Sequence, residues 1–189
     1  MILLFGLGCN QSAKQSVTIK KTDTLTTKKA TETTTYVTWD SVKLNGTIPM
    51  LYNLKEAEEK LGKADSIIIP DYENVSSSFF NNKSFKYCYF RGITFEKSGD
   101  TLAFMSIDFT KASTAYLGND HIRLNGATSL SDFKKIFPNV ADNSLIVQGL
   151  GKTKAVTLAV SKKETEDKWL FIFNEDGNKL LRIDYWIPD

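Results

Sequence analysis

The sequence predicts an α+β fold in two tandem copies, each a helix packed on an antiparallel β-meander, behind a disordered N-terminal tether. Three observations carry that prediction. Val42-Lys43-Leu44-Asn45-Gly46 matches Ile122-Arg123-Leu124-Asn125-Gly126 eighty residues later. A capped amphipathic segment follows each match. Each such segment is followed in turn by β-like runs whose connections are too short for parallel crossovers, so hairpins join them. The boundaries that follow are 37–112 for the first α+β repeat and 113–189 for the second. Ahead of them lie a signal-type segment at 1–9 and a linker at 10–36.

Both matched runs end in Asn-Gly, two residues that tolerate positive φ, which predicts a tight left-handed turn at each. Asn53 suits the N-cap of a first helix, in which Leu54, Ala57 and Leu61 recur at i, i+3 and i+7 and Gly62 is the stop. Ser129 caps a second, with Leu130, Phe133 and Phe137 on one face and Pro138 forbidding continuation. Glu56 and Asp132 in the first turns suit the positive end of each helix dipole.

After the first helix the β-like runs are 67–69, 85–95 and, past a Ser98-Gly99-Asp100 turn, 102–109. Alternation in the last puts Met105, Ile107 and Phe109 on one face and Ser106 and Asp108 on the other. After the second helix they are 144–147, 155–160, 169–173 and 179–187. Trp169, Phe171 and Phe173 on one side, with Leu170 and Ile172 on the other, predict a strand buried on both faces. Helices segregated to one face of an antiparallel sheet give the α+β class.

Composition narrows the chemistry. The chain has 189 residues, one histidine and two cysteines. That is too few ligands for a His-rich metal site, a zinc finger or an iron–sulfur cluster, so neither metal nor cofactor is expected. Of 24 basic and 22 acidic residues, five lysines and two acids precede Tyr36, so the rest of the chain has a single acid in excess. The basic excess is thus confined to the tether, and no Arg/Lys stripe interleaved with aromatics speaks for nucleic acid.

The first nine residues form an apolar run ending in Gly8-Cys9, followed at once by the polar Asn10-Gln11-Ser12. The stretch resembles the lipobox of bacterial lipoproteins, in its relaxed Bacteroidetes form, with Gly6 and Leu7 departing from the usual residues. The resemblance implies lipidation at Cys9 and location in the bacterial cell envelope, on the periplasmic face of the outer membrane. From Thr18 to Thr35 nine of eighteen residues are threonine and four are lysine. Such a stretch has too little apolar surface to offset its ordering entropy, so a disordered linker is expected. Cys88, in the aromatic run Phe85-Lys86-Tyr87-Cys88-Tyr89-Phe90, reads as a buried inert thiol.

A short helix ending in Leu61-Gly62-Lys63-Ala64-Asp65, then a meander, resembles the Leu-Gly-x-Pro-Asp pattern of SmpA-type envelope lipoproteins and of β-lactamase-inhibitor-protein-like domains. Ala64 stands where that pattern has proline, and the second copy has Phe137-Pro138-Asn139 instead. The resemblance implies a membrane-tethered, non-enzymatic module that engages a protein partner, or an inhibitor or immunity protein blocking an envelope enzyme.

No nucleophile elbow, phosphate-binding loop, Rossmann fingerprint or zinc-protease motif occurs, so no catalytic residue is assigned. The enzymatic alternative, a small envelope hydrolase, needs Asp108, Asp120 and His121 to converge in a pocket. The strongest candidate for partner contact is the stretch 70–84, a long loop carrying Tyr72, Phe79 and Phe80 among serine and asparagine.

Overall fold

Asn53 and Ser129 start the two helices as their sequence contexts dictate. The Asn53 side chain accepts the Lys55 N–H at 2.9 Å, opening α1 (Leu54–Leu61), and the Ser129 hydroxyl accepts the Asp132 N–H at 3.1 Å, opening α2 (Leu130–Ile136). Gly62, at φ 87°, ends α1 and returns its N–H to the Glu58 carbonyl. These features come from a computed structural model that describes residues 36–75, 77–81, 84–163 and 165–188. Cys9 and the 10–35 tether lie outside the described residues.

Thirteen strands are described: β1 (Lys43–Leu44), β2 (Ile48–Pro49), β3 (Leu51–Asn53), β4 (Ser66–Ile68), β5 (Lys86–Phe90), β6 (Ile93–Ser98), β7 (Thr101–Asp108), β8 (Tyr116–Gly118), β9 (Arg123–Asn125), β10 (Asp142–Val147), β11 (Gly151–Ala159), β12 (Lys168–Asn174) and β13 (Leu180–Trp186). Every pairing between them is antiparallel. The large sheet runs β4-β5-β6-β7-β13-β12-β11-β10, and β3 takes the stretch of the β7 edge that β13 leaves free. A small sheet, β2-β1-β8-β9, adds Leu44, Ile48, Leu117 and Leu124 to the same core. The protein is therefore mostly antiparallel sheet with two short helices, α+β in the broad sense.

Both helices contribute to one continuous apolar cluster, which holds Ala57 of α1 and Leu130, Phe133 and Phe137 around α2. Aromatic rings carry that core across the sheet: Phe95 against Phe104 at 6.1 Å, Phe104 against Trp169 at 6.1 Å, and Phe171 against Phe133 at 4.7 Å. A single 3-10 turn, Trp39–Ser41, wedges Trp39 between Phe79 and Trp169, stacked at 5.4 and 5.6 Å. The Trp169 indole N–H is satisfied by the Val37 carbonyl at 2.7 Å.

Four local expectations need correction. The 85–95 run is two strands, because Arg91 and Gly92 adopt φ 45° and 88° and turn the chain into the β5–β6 hairpin. A register shift where β6 meets β7 moves Met105 off the face of Ile107, and it lines the opposite surface with Thr94, Ser106 and Asp108. Asn45 and Gly46 do form a left-handed turn, but Asn125 and Gly126 do not: Asn125 ends β9 and its side chain accepts the Ala127 N–H. On β12, Ile172 is buried but Leu170 is half-exposed, so that strand is covered on one face and partly open on the other.

Candidate functional site

Period-2 alternation in five neighbouring strands builds the open face of the large sheet, the side away from the aromatic core. Tyr87 and Tyr89 come from β5, Thr94 from β6, Asp108 from β7, Leu170 from β12 and Asp184 from β13. With Met105, Arg182 and Trp186 they line a concavity of about 700 Å³. Trp186 keeps nearly half its surface exposed.

The charges on this face are arranged in pairs. Arg182 is the cross-strand neighbour of Asp108, and its Nε donates to Asp184 Oδ1 at 2.6 Å. Asp108 also accepts from the Thr110 N–H and hydroxyl, and Lys111 lies 3.4 Å from its other oxygen. Burial pushes the Asp184 carboxyl above its ordinary pKa; Arg182 opposes that shift and Asp108 adds to it. Tyr87 is raised as well, by burial first and then by the charges of Glu96 and Tyr89. The result is a broad aromatic surface with a partly desolvated Arg–Asp pair, the composition that recurs in protein contact surfaces.

The 70–84 loop is fastened to the sheet. Tyr72 donates its hydroxyl to the Phe85 carbonyl at 2.6 Å and meets the Phe85 ring edge-on. Phe79 is half-buried on Trp39, and Phe80 stands edge-on to Phe79 at 5.3 Å. Beneath them Glu96, with no exposed surface, accepts the Phe79 N–H at 2.9 Å and the more distant Phe80 N–H at 3.5 Å. Its pKa is raised by burial, against the lowering effect of Ser78 and of those two amides. The loop aromatics thus anchor the loop, and each stays partly at the surface.

Asp120 and His121 are exposed at the β8–β9 turn, where Asn119 accepts the His121 backbone N–H. Neither lines the concavity, so Asp108 meets Arg182 and Asp184 instead of the partners a hydrolase reading required. Among the described residues no group of three or more His, Cys, Asp or Glu is placed to hold a metal ion. Burial pushes the Cys88 thiol up to about 11; Lys97 opposes the shift and Glu58 adds to it. Sequence reasoning missed Tyr87, Tyr89, Arg182, Asp184 and Trp186. The signal was present as i, i+2 and i, i+2, i+4 spacings in two strands.

Compared with known proteins, the chain matches no family model, no curated protein and no solved structure.

Proposed function

We propose that the protein is a membrane-tethered, non-enzymatic binding module of the bacterial cell envelope that engages a protein partner through the open face of its large sheet. The observation that carries this reading is the concave surface of Tyr87, Tyr89, Leu170 and Trp186 around the Arg182–Asp184 pair. Large rigid aromatics supply contact area at low entropic cost, and the arginine beside them is half-buried and paired with a more deeply buried aspartate. The tether runs from a lipidated Cys9 through 10–36, on the outer membrane and facing the periplasm.

The tandem-repeat reading belongs to the same proposal. It is supported by the chain order, in which each helix precedes four successive antiparallel strands and the last strands of the two runs, β7 and β13, pair with each other. It is also supported by two corresponding hydrogen bonds at the helix starts, Leu54 N–H to the Asp100 carbonyl at 2.8 Å and Leu130 N–H to the Gly177 carbonyl at 2.7 Å. That two-copy arrangement favours, among binding modules, one that blocks an envelope enzyme.

Photo-cross-linking tests the surface. A photoreactive residue at Tyr89 should give a discrete protein adduct in intact cells, and one at Glu59, exposed on α1, should not. No adduct at Tyr89, or equal adducts at both positions, would sink the open-face reading.

A further inference from the structure

Among the described residues Glu96 is the one buried acid, and it has no exposed surface at all. It stands in register with Tyr87 on β5 and with Ala103 on β7. Cross-strand neighbours share a face, so Glu96 sits beside the Tyr87 end of the concave surface. The short stretch 77–81 lies over it. The Phe79 N–H donates to Glu96 Oε2 at 2.9 Å, the Phe80 N–H reaches the same oxygen from 3.5 Å, and the Ser78 hydroxyl is buried close by. Elsewhere the stretch is held by the Ser77 hydroxyl, which donates to the Ile187 carbonyl at 2.8 Å, and by Phe79, half-buried on Trp39. The Asn81 N–H closes it into a turn on the Ser78 carbonyl at 3.2 Å.

A buried carboxylate keeps its charge at low cost only when a cation or several good donors face it. Among the described residues no cation does so here. β5 contributes Tyr87, whose own pKa is raised, so it stays neutral through the range in which a carboxyl titrates. β7 contributes Ala103. The 77–81 stretch contributes Ser78 and two amides, and the acids nearest to it in the chain, Asp71 and Glu73, are exposed. Burial outweighs these donors and raises the Glu96 pKa.

We propose that 77–81 is a pH-responsive strap, which lies closed over a neutral Glu96 and lifts away locally when that carboxyl ionises, while the sheet beneath stays folded. Lifting lets water reach the charge and uncovers a carboxylate next to Tyr87, so the concave surface becomes longer and more acidic as pH rises. A proton held more tightly in the closed form is lost as pH rises through the raised value, and closure weakens there. Below the ordinary glutamate pKa of about 4.3 the strap is fully held. The device belongs to the free chain and stands whether or not the open face meets a partner.

Amide hydrogen exchange of the isotope-labelled full chain, read by NMR from about pH 4 to about pH 8 and corrected for intrinsic rates, tests the strap. The Phe79 protection factor should fall as pH rises, by at most about tenfold per pH unit because one proton is involved, and then level off. It should stay at least about tenfold below that of Phe104, whose N–H donates to the Met50 carbonyl at 2.8 Å, which marks local opening. In Glu96→Gln the Phe79 protection should lose its pH dependence. The side-chain carboxyl carbon-13 shift of Glu96 gives a second reading that needs no variant, and it should titrate above about 4.3 in the wild type. A Glu96 that titrates at or below that value, a Phe79 protection that is constant with pH, or the same pH dependence in Glu96→Gln would overturn the proposal. Equal protection at Phe79 and Phe104 would overturn it too, because strap and sheet would then open together.

Discussion

The Phe79 backbone N–H donates to Glu96 Oε2 at 2.9 Å, so a strand residue with no exposed surface holds the middle of the 70–84 loop. The other carboxylate oxygen, Oε1, is buried without a geometrically formed hydrogen bond, as is the Ser78 hydroxyl, which nevertheless lies close enough to the carboxyl to lower its pKa. Burial raises the Glu96 pKa in the folded protein. The proton is therefore bound more tightly folded than unfolded. The contribution of Glu96 to stability is full below the ordinary glutamate pKa of about 4.3 and is lost as pH rises through the raised value. Glu96→Gln keeps an acceptor for Phe79, offers an N–H to Ser78 and carries no charge. Its melting temperature should exceed that of the wild type at about pH 8 and converge with it at about pH 4. A wild type more stable than the variant at the higher pH would show that the carboxylate is the preferred form.

Phe133 tests the helix–sheet packing. Its ring lies 4.7 Å from Phe171, 4.9 Å from Phe137 and 5.6 Å from Phe173, with no exposed surface. Phe133→Ala should cost about 3–5 kcal/mol in urea unfolding, the range for an aromatic removed from a core that cannot close over the cavity. A cost below about 1 kcal/mol would mean that α2 can leave the sheet without consequence.

The helices were legible because their signals are local: a capping side chain, an i, i+3, i+7 stripe, and a glycine or proline stop. The strand positions were mostly legible too, but facing was not. A single register shift at Met105 reverses a face that alternation assigns without ambiguity. The Arg91-Gly92 turn was hidden inside an apolar-rich run, since its signal is one glycine and an arginine at positive φ. The concave face escaped for a different reason. Asp108 and Asp184 are separated by 76 residues in sequence, and only the pairing of β7 with β13 brings them to one Arg182. Trp39 sits among threonine, aspartate and serine, with nothing local to say that it closes on Phe79 and Trp169.

Gly92 and Gly62 have nearly the same φ, 88° and 87°, yet their surroundings differ. A Cβ at Gly62 meets nothing within 4 Å, whereas one at Gly92 falls 2.9 Å from the Asp108 carbonyl oxygen and 2.7 Å from the Lys111 Cβ. Alanine at either position bears the left-handed strain of about 1–2 kcal/mol. Only Gly92→Ala must also displace the backbone beside Asp108. The expected result is a clearly lower denaturation midpoint for Gly92→Ala than for Gly62→Ala. Matching midpoints would show that the β5–β6 turn moves freely against the end of β7.

Gly8-Cys9 after an apolar run, with a threonine- and lysine-rich stretch behind it, is the basis for proposing acylation at Cys9 and removal of 1–8. One acyl chain gives only marginal membrane binding, whereas two or three, at about 0.8 kcal/mol per buried CH₂, hold a protein on its membrane. Among the described residues the apolar core begins at Val37, whose carbonyl accepts the Trp169 indole N–H, far along the chain from Cys9. Cys9→Ser should therefore move the protein to the soluble fraction while its circular dichroism and melting temperature stay unchanged. Intact-mass measurement of the wild-type membrane fraction should show a modified N-terminal Cys9. A Cys9→Ser protein that still sediments with membranes, or a wild type that retains Met1 unmodified, would show that the anchor lies elsewhere.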